Sequence, residues 1–381
     1  DRVMSYDVAI VGGSSTGLVA ARECAKRGLS TVAFEEDFII GRPEKCAGLY
    51  SVEGLKSLDI PVQGPYLQNV VRGAVFVSPS GKSFMVDAGR DVAVVFNRER
   101  MDLFIAEQAA KAGAEIMIGT RVNEVSTNGA AASIKTSRNI HQSRYVIIAE
   151  GRGASVAKQI FTDYATGKWL PIIQYQISHH GQDPQFVYLY FRKYLREFFG
   201  YLVPIDDETG KFGVAASKFI YQYADKLLSE VFPRAKVTGM SSSSIYVGPP
   251  LGDIRRRNVM LVGEVAGQVK ATTGGGVITG GMVAFAAAKH AAVEVVYYKH
   301  LRPLISELKG TYMIRRFYEK LSPKHIEAMV RAAAESGFSE KLGQVGDMDK
   351  HLTTLIKTAA STSFVKMAFS AIKHSMTTMH L

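Results

Sequence analysis

Cysteine is nearly missing from this chain: Cys24 and Cys46 are the two it has in 381 residues. That excludes a disulfide scaffold and leads us to expect a reduced, cytoplasmic setting. No basic start followed by an apolar middle marks a secretory signal, and Asp1, Arg2 and Val3, ahead of Met4, are left out of the fold reasoning. Long apolar runs are lacking as well. The longest, residues 277–288, is broken by Gly280 and Gly281 and stops at Lys289, whereas a membrane span asks for roughly 20 apolar residues. Any contact with a membrane is therefore expected to be peripheral, on its cytoplasmic face. Blocks of single-sign charge are also absent. The formal charge of +11 is spread along the chain without an aromatic-basic motif, which suits phosphates or an acidic lipid surface and speaks against nucleic acid. Histidine and cysteine never gather at ligand spacing. His179 and His180 are neighbours on a predicted strand and point to opposite faces, so no metal is expected.

What is present is enough apolar character, 47%, to fill two domains or one elaborated domain. The opening reads strand (6–11), tight turn, helix (18–27, with Leu18, Ala21 and Ala25 at helical spacing) and strand (30–35). Gly28 stands where a left-handed helix cap is wanted. Val- and Phe-rich segments between 70 and 96, separated by "PSGK" and "DAGRD", predict hairpins. A helix over 100–112 and strands near 115–125, 131–136 and 144–149 follow. Residues 170–249 carry alternating aromatics such as "FVYLYF" and "FFGYLVP", with one helix over 221–232, and predict an inserted antiparallel sheet. A strand over 258–262 and a helix over 276–299 restore the α/β pattern, and 301–381 reads as mostly helical.

The turn "GGSSTG", Gly12 to Gly17, carries the first chemistry. A helix N-terminus offers unpaired N–H groups and partial positive charge to a pyrophosphate, provided that the backbone can come close. Gly12 makes the exit from the strand and Gly17 lets the helix pack on the sheet. Ser14 replaces the middle glycine of G-x-G-x-x-G. It either pushes the phosphate outward, with Gly13 absorbing part of the strain, or donates to it. A plain capping turn would look much the same. Glu35, eighteen residues after Gly17, is suited to accept from both ribose hydroxyls of an adenosine; a solvated strand-end carboxylate is the alternative. Further on, the strand before Glu264 leads past Thr272 and Thr273 into three glycines that open a helix, so backbone N–H groups at Gly275, Gly276 and Val277 can face negative charge.

Two further segments resemble the flavoprotein monooxygenase and geranylgeranyl reductase superfamily, which binds FAD through dispersed fingerprints. "YVIIAEGRGA" resembles its strand-plus-DG segment, with Glu150 for Asp and then Gly151. "RRNVMLVGEVAGQVKATTGGGVITGG" resembles its strand-plus-GD segment, with Gly263 and then Glu264 for Asp. "GRPEKCAGLYS" resembles the Cys-Ala-Gly loop of the geranylgeranyl reductases, and "FNRERMDLFIAEQAAKAGAEI" their arginine-led helix. The likeness is to the archaeal digeranylgeranylglycerophospholipid reductases among them and covers roughly the first 300 residues. It implies a Rossmann-like α/β FAD-binding domain (4–62, 92–165 and 250–300), an antiparallel substrate domain (63–91 and 166–249) and a C-terminal helical region (301–381). It also implies Glu264 on the ribityl chain and Arg98, ahead of Arg100, with Val122, Cys46 and Ala47 at the cofactor; the reductant, NAD(P)H, a ferredoxin or another flavin system, is not given by the sequence.

The family's P-x-x-Y-x-W-x-F-P lipid motif falls on "REFFGYLVP", where Phe199, Tyr201 and Val203 replace Tyr, Trp and Phe. The implied activity is saturation of prenyl C=C bonds on lipids, with Cys46 as proton source or ring-tuning thiol. A small buried hydrophobe is the other reading of Cys46, and Cys24 is read as core. Tyr188, Tyr190, Phe199 and Tyr201 line either a prenyl tunnel or an ordinary sheet core. Two alternatives stay open: a flavin hydroxylase using dioxygen, and a lipid or nucleotide carrier without catalysis.

Overall fold

Val8, Ala9, Ile10 and Val11 are apolar without alternation, as a strand covered on both faces requires. In the computed structural model, which describes residues 4–165, 167–294, 300–359, 361 and 366, the strand Met4–Val11 runs parallel between Thr31–Phe34 and Ile140–Ile148. Glu115–Met117 and Val259–Leu261 extend this parallel sheet on either side. Arg255–Arg256 closes one edge, and the hairpin of Val122–Thr127 and Ala132–Thr136 pairs onto Ile140–Ile148, giving eight strands among the described residues. The helix Ser15–Lys26 packs on the sheet through Leu18, Val19 and Ala21, with Cys24 fully buried among them. Burial pushes that thiol up to about 12. Gly28, at φ +78°, terminates the helix as its position predicts.

The expected α/β sheet with an antiparallel partner is therefore what forms. Ser83–Asp87 and Gly73–Val77 make the hairpin around "PSGK", and they join Trp169–Ser178, Phe186–Tyr190, Gly200–Pro204, Thr209–Ala215 and Lys236–Tyr246 in a seven-stranded sheet. "DAGRD" is not a hairpin. Arg72 clamps the Asp87 carboxylate through two bonds of 2.8 Å, and the same carboxylate accepts from the Gly89 N–H. The chain is thereby turned out of that sheet into Ala93–Phe96, which pairs with Leu49–Ser51 and Leu67–Val71 in a separate three-stranded sheet. Leu67–Val71 thus pairs in the three-stranded sheet and Gly73–Val77 in the seven-stranded one.

The helix predicted over 100–112 is Arg98–Lys111, started by Asn97, whose side chain accepts from the Arg100 N–H. That over 221–232 is Ile220–Val231, and that over 276–299 is Val277–Val293; residues 295–299 lie outside the described residues. The C-terminal region supplies Arg302–Tyr318, Pro323–Glu335, Phe338–Val345 and His351–Ala359, and most of 360–381 lies outside the described residues too. No helix among the described residues is long and apolar enough to cross a membrane.

Gly17 fixes how closely helix and sheet meet. A Cβ there would stand 1.9 Å from the Gly12 carbonyl oxygen, which no rotamer relieves, because the clash is backbone. Gly17→Ala is expected to destabilise the fold by on the order of 2 kcal/mol, read as a lower urea midpoint with the slope unchanged.

Candidate functional site

Two helix N-termini open into one cleft. The cleft has about 220 Å³ of space and is lined by Ser14, Thr16, Cys46, Arg98, Gly151, Glu264, Lys270 and Gly274 to Ile278, among others. The first helix starts at Ser15 and the other at Val277. Ser14 caps nothing with its side chain, Gly276 has none to cap with, and neither first turn holds an acidic residue. Their leading N–H groups thus remain available to a ligand. The two turns touch: a Cβ on Gly280 would lie 2.9 Å from Thr16 Oγ1, and one on Gly263 would lie 3.3 Å from Thr16 Cγ2.

Ser14 has φ −92° and ψ −179°, extended backbone that any residue adopts, and its side chain is exposed at the cleft. The missing middle glycine is therefore not missing for conformational reasons. Glu35 stands against the turn. Its Oε2 accepts from Gly13 N–H at 2.7 Å, its Oε1 from Asp37 N–H at 2.8 Å, and burial raises its carboxyl against those two bonds.

Glu264 is half-buried and faces the cleft, and its carboxylate takes no hydrogen bond from any described residue. Burial raises its carboxyl above the usual range, with the Arg98 charge opposing. Arg98, 18% exposed, pairs with Asp102 at 2.9 Å, and Ser15 donates to that same carboxylate. Arg100 instead points outward to the Pro65 carbonyl, so Arg98 is the arginine at the cleft.

The Cys46 loop also lines the cleft. Gly48 lies so close to Phe96 that a Cβ would meet its carbonyl oxygen at 2.0 Å. Glu44 accepts from the Arg98 N–H at 2.8 Å and from Lys211 Nζ at 2.9 Å, pinning the loop to the seven-stranded sheet. Cys46 Sγ is 3.3 Å from the Gly48 N–H and 3.7 Å from Tyr50 Oη. Tyr201 donates to Gln174 at 2.9 Å, which donates to the Cys46 carbonyl at 3.3 Å. Ala47 packs beside Tyr201.

Other expected residues lie elsewhere. Glu150 does not reach the cleft: its carboxylate accepts from Ser155 Oγ and from the Val156 and Ala157 N–H groups at 2.7–3.1 Å, and it is the backbone of Gly151 that lines the cavity. Val122 is a buried core residue, two positions beyond Thr120, whose N–H donates to the Glu35 carbonyl. Tyr188 and Tyr190 face the helix Ile220–Val231 in the core of the antiparallel unit, because residues at even spacing share a face. Val187, Leu189, Tyr201 and Val203 occupy the other face, toward Ala47, Leu49 and Met348. Phe199 stacks on Phe198 at 4.2 Å in a separate cluster. His179 falls just past its strand and binds Glu208, while His180 binds the carbonyls of Asp206 and Thr209. Lys270, Met348 and Asp349 at the cleft were not foreseen. Lys270 sits four residues before the triple glycine and was legible there, whereas Asp349 carries no local signal.

These residues fit FAD. Two uncapped helix starts suit a diphosphate, and an unpartnered carboxylate between them suits the hydroxyls of a ribityl chain. Glu264 also makes a stability prediction for the cofactor-free chain. Its folded pKa is raised, so folding disfavours the ionised form. Below the ordinary glutamate range both states are protonated and nothing is lost; as pH rises through that range the unfolded chain ionises first and stability falls. Glu264→Gln is expected to raise the urea midpoint at neutral pH and to leave it unchanged in acid.

Residues 7–158 match the family of FAD dependent oxidoreductases. A digeranylgeranylglycerophospholipid reductase of Thermoplasma acidophilum is 27% identical over 97% of this chain and 96% of its own. An uncharacterized protein of Methanocaldococcus jannaschii is 29% identical over 93% and 95%. The crystal structure of a geranylgeranyl bacteriochlorophyll reductase-like protein from Thermoplasma acidophilum superposes with a TM-score of 0.82 at 22% identity, covering 98% of this chain and all of that one, which bears on the fold. With the fingerprints around one cleft and relatives matching along nearly their whole length, the chain is similar to the geranylgeranyl reductases among the FAD-dependent oxidoreductases.

Proposed function

We propose that this protein saturates isolated C=C bonds in prenyl chains carried by a lipid or isoprenoid. The observation that carries the reading is the cleft itself, in which two glycine-led helix starts and the free carboxylate of Glu264 share one space with the Cys46 thiol. The turn at Gly12, Gly13, Ser14 and Gly17 would hold the FAD diphosphate, Glu35 the adenosine ribose, Glu264 and Gly263 the ribityl chain, and Gly275, Gly276 and Val277 the ring edge. Gly151, Ala47 and Arg98 would close around them. Once reduced, bound FAD supplies a hydride.

The chain's own residues must hold the alkene, exclude water and deliver a proton. Cys46 would give that proton. Tyr50 behind it is buried, and burial pushes its hydroxyl well above the ordinary tyrosine range, so it keeps its proton beside the sulfur, and the thiol would regain its own proton from water. Leu49, Ile278 and Met348 line the same space with apolar surface. Val187, Leu189, Tyr201 and Val203 continue that surface along the antiparallel sheet, a course suited to a prenyl chain, with Phe199 further along. The lipid reductase named above supports this substrate class, and the positive balance of the chain suits an anionic lipid surface.

Mass spectrometry of the small molecules extracted from the purified protein is expected to find FAD, with a prenyl lipid beside it. A colourless protein that takes up no FAD would sink the reading, and turnover that consumes dioxygen would shift it to a hydroxylase. Glu264→Ala is expected to weaken FAD retention roughly tenfold or more. Cys46→Ala is expected to keep the FAD and slow alkene reduction by about 10²-fold, measured by loss of substrate double bonds.

A further inference from the structure

One ion pair in the cleft has no part in the roles above. Lys270, 10% exposed, donates to the Met348 carbonyl and to Asp349 Oδ1, each at 2.7 Å. Asp349, 15% exposed, also accepts from Ser51. Burial works against its charge, yet Lys270 and Ser51 hold its carboxyl below the usual range. The neighbouring His351 shares a 2.7 Å hydrogen bond with Thr272 and is pushed down to about 4 by burial and by Lys270, so it is neutral. Of these side chains Lys270 carries the positive charge, whereas Arg98, which also lines the cleft, is paired with Asp102.

Its position is specific. Lys270 N–H donates to the Gly275 carbonyl, and a Cβ on Gly275 would meet Lys270 Cε at 3.0 Å and Nζ at 3.4 Å. The ammonium therefore lies against the uncapped start of the helix Val277–Val293. An ammonium has three N–H donors, and two are used within the protein. A buried ion pair adds little to stability over well-packed apolar side chains, so stability alone does not account for a lysine here.

The inference rests on the reading that FAD lies in this cleft. Glu35 and Gly13 mark the nucleotide end, which leaves the ring toward Gly274 to Gly276, Cys46 and Lys270. Uptake of two electrons and one proton leaves a flavin with one negative charge. We infer that Lys270 is the cation that stabilises this reduced, anionic cofactor, and that Asp349, delivered by the C-terminal segment, sets how much of the lysine's charge reaches it. Lys270 faces the cofactor; Asp349 is a positioning residue.

The test is the reduction potential of the FAD-loaded full-length chain, titrated with dithionite against a dye of known potential. Lys270→Met is expected to move the oxidised-to-reduced equilibrium about tenfold toward the oxidised form, about 30 mV more negative for a two-electron couple. Asp349→Asn, which keeps the side-chain shape, is expected to move it by a comparable factor the other way, and Lys270→Arg to restore the parent value. Both disruptive variants break the same ion pair, so a merely structural contact would shift them alike. Shifts of the same sign, or none in a variant that keeps its FAD, overturn the inference while leaving the prenyl-reductase reading intact. A parent chain that binds no FAD overturns both.

Discussion

Thr16 is wedged between Gly263 and Gly280, and the site depends on that contact. It is possible only because neither glycine carries a Cβ and because Gly17 lets the first helix lie against the Gly12 carbonyl. The consequence is electrostatic as well as steric. Two helix starts, each with partial positive charge and without a capping side chain, are brought together in a cleft. Such an arrangement stores repulsion until negative charge enters it. Glu264 is the carboxylate the fold places there, yet burial holds its charge back rather than favouring it. A cleft with an unmet demand for negative charge, beside a carboxyl with no protein partner, is specified for an anionic, hydroxyl-bearing ligand.

The three departures from the flavin fingerprints resolve differently once each is seen in place. Ser14 occupies extended backbone and points out into the cleft, so its extra atoms crowd no protein group. Glu264 faces the cleft with a carboxylate that no described residue hydrogen-bonds. Glu150 has gone over to the protein. Its extra methylene lets the carboxylate reach the N–H groups of Val156 and Ala157, where it organises the short helix Ala157–Ile160. One and the same substitution, Asp to Glu, therefore leaves a ligand-facing group in one case and makes a loop brace in the other.

The nucleotide half of this site was legible because it is local. A strand end, a glycine turn, a helix start and an acidic residue on the next strand are all within residues 8–35, and the periodicity there fixes both element type and facing. The triple-glycine turn is local in the same sense. What escaped notice depends on side chains meeting across the fold. Nothing in "FVYLYF" says which alternate set faces the cleft; the helix Ile220–Val231 settles that by covering Tyr188 and Tyr190. Nothing in "DAGRD" shows that Arg72 holds Asp87 from fifteen residues away and sends the chain to another sheet.

The ring end is built by distant segments, and that explains why its sequence signals are weaker. Lys211 reaches Glu44 from the antiparallel sheet, Gln174 reaches the Cys46 carbonyl, and Asp349 reaches both Ser51 and Lys270. Each contact spans 79 residues or more of chain. A diphosphate and a ribose present the same atoms in every protein that binds them, so a short backbone motif can meet them and persist. The ring end must also admit a particular substrate and set a particular electron affinity, and those demands are met by changing which distant side chains arrive. The C-terminal segment thus reaches the cleft rather than only capping the core, because Met348 and Asp349 line it beside residues from the first 300.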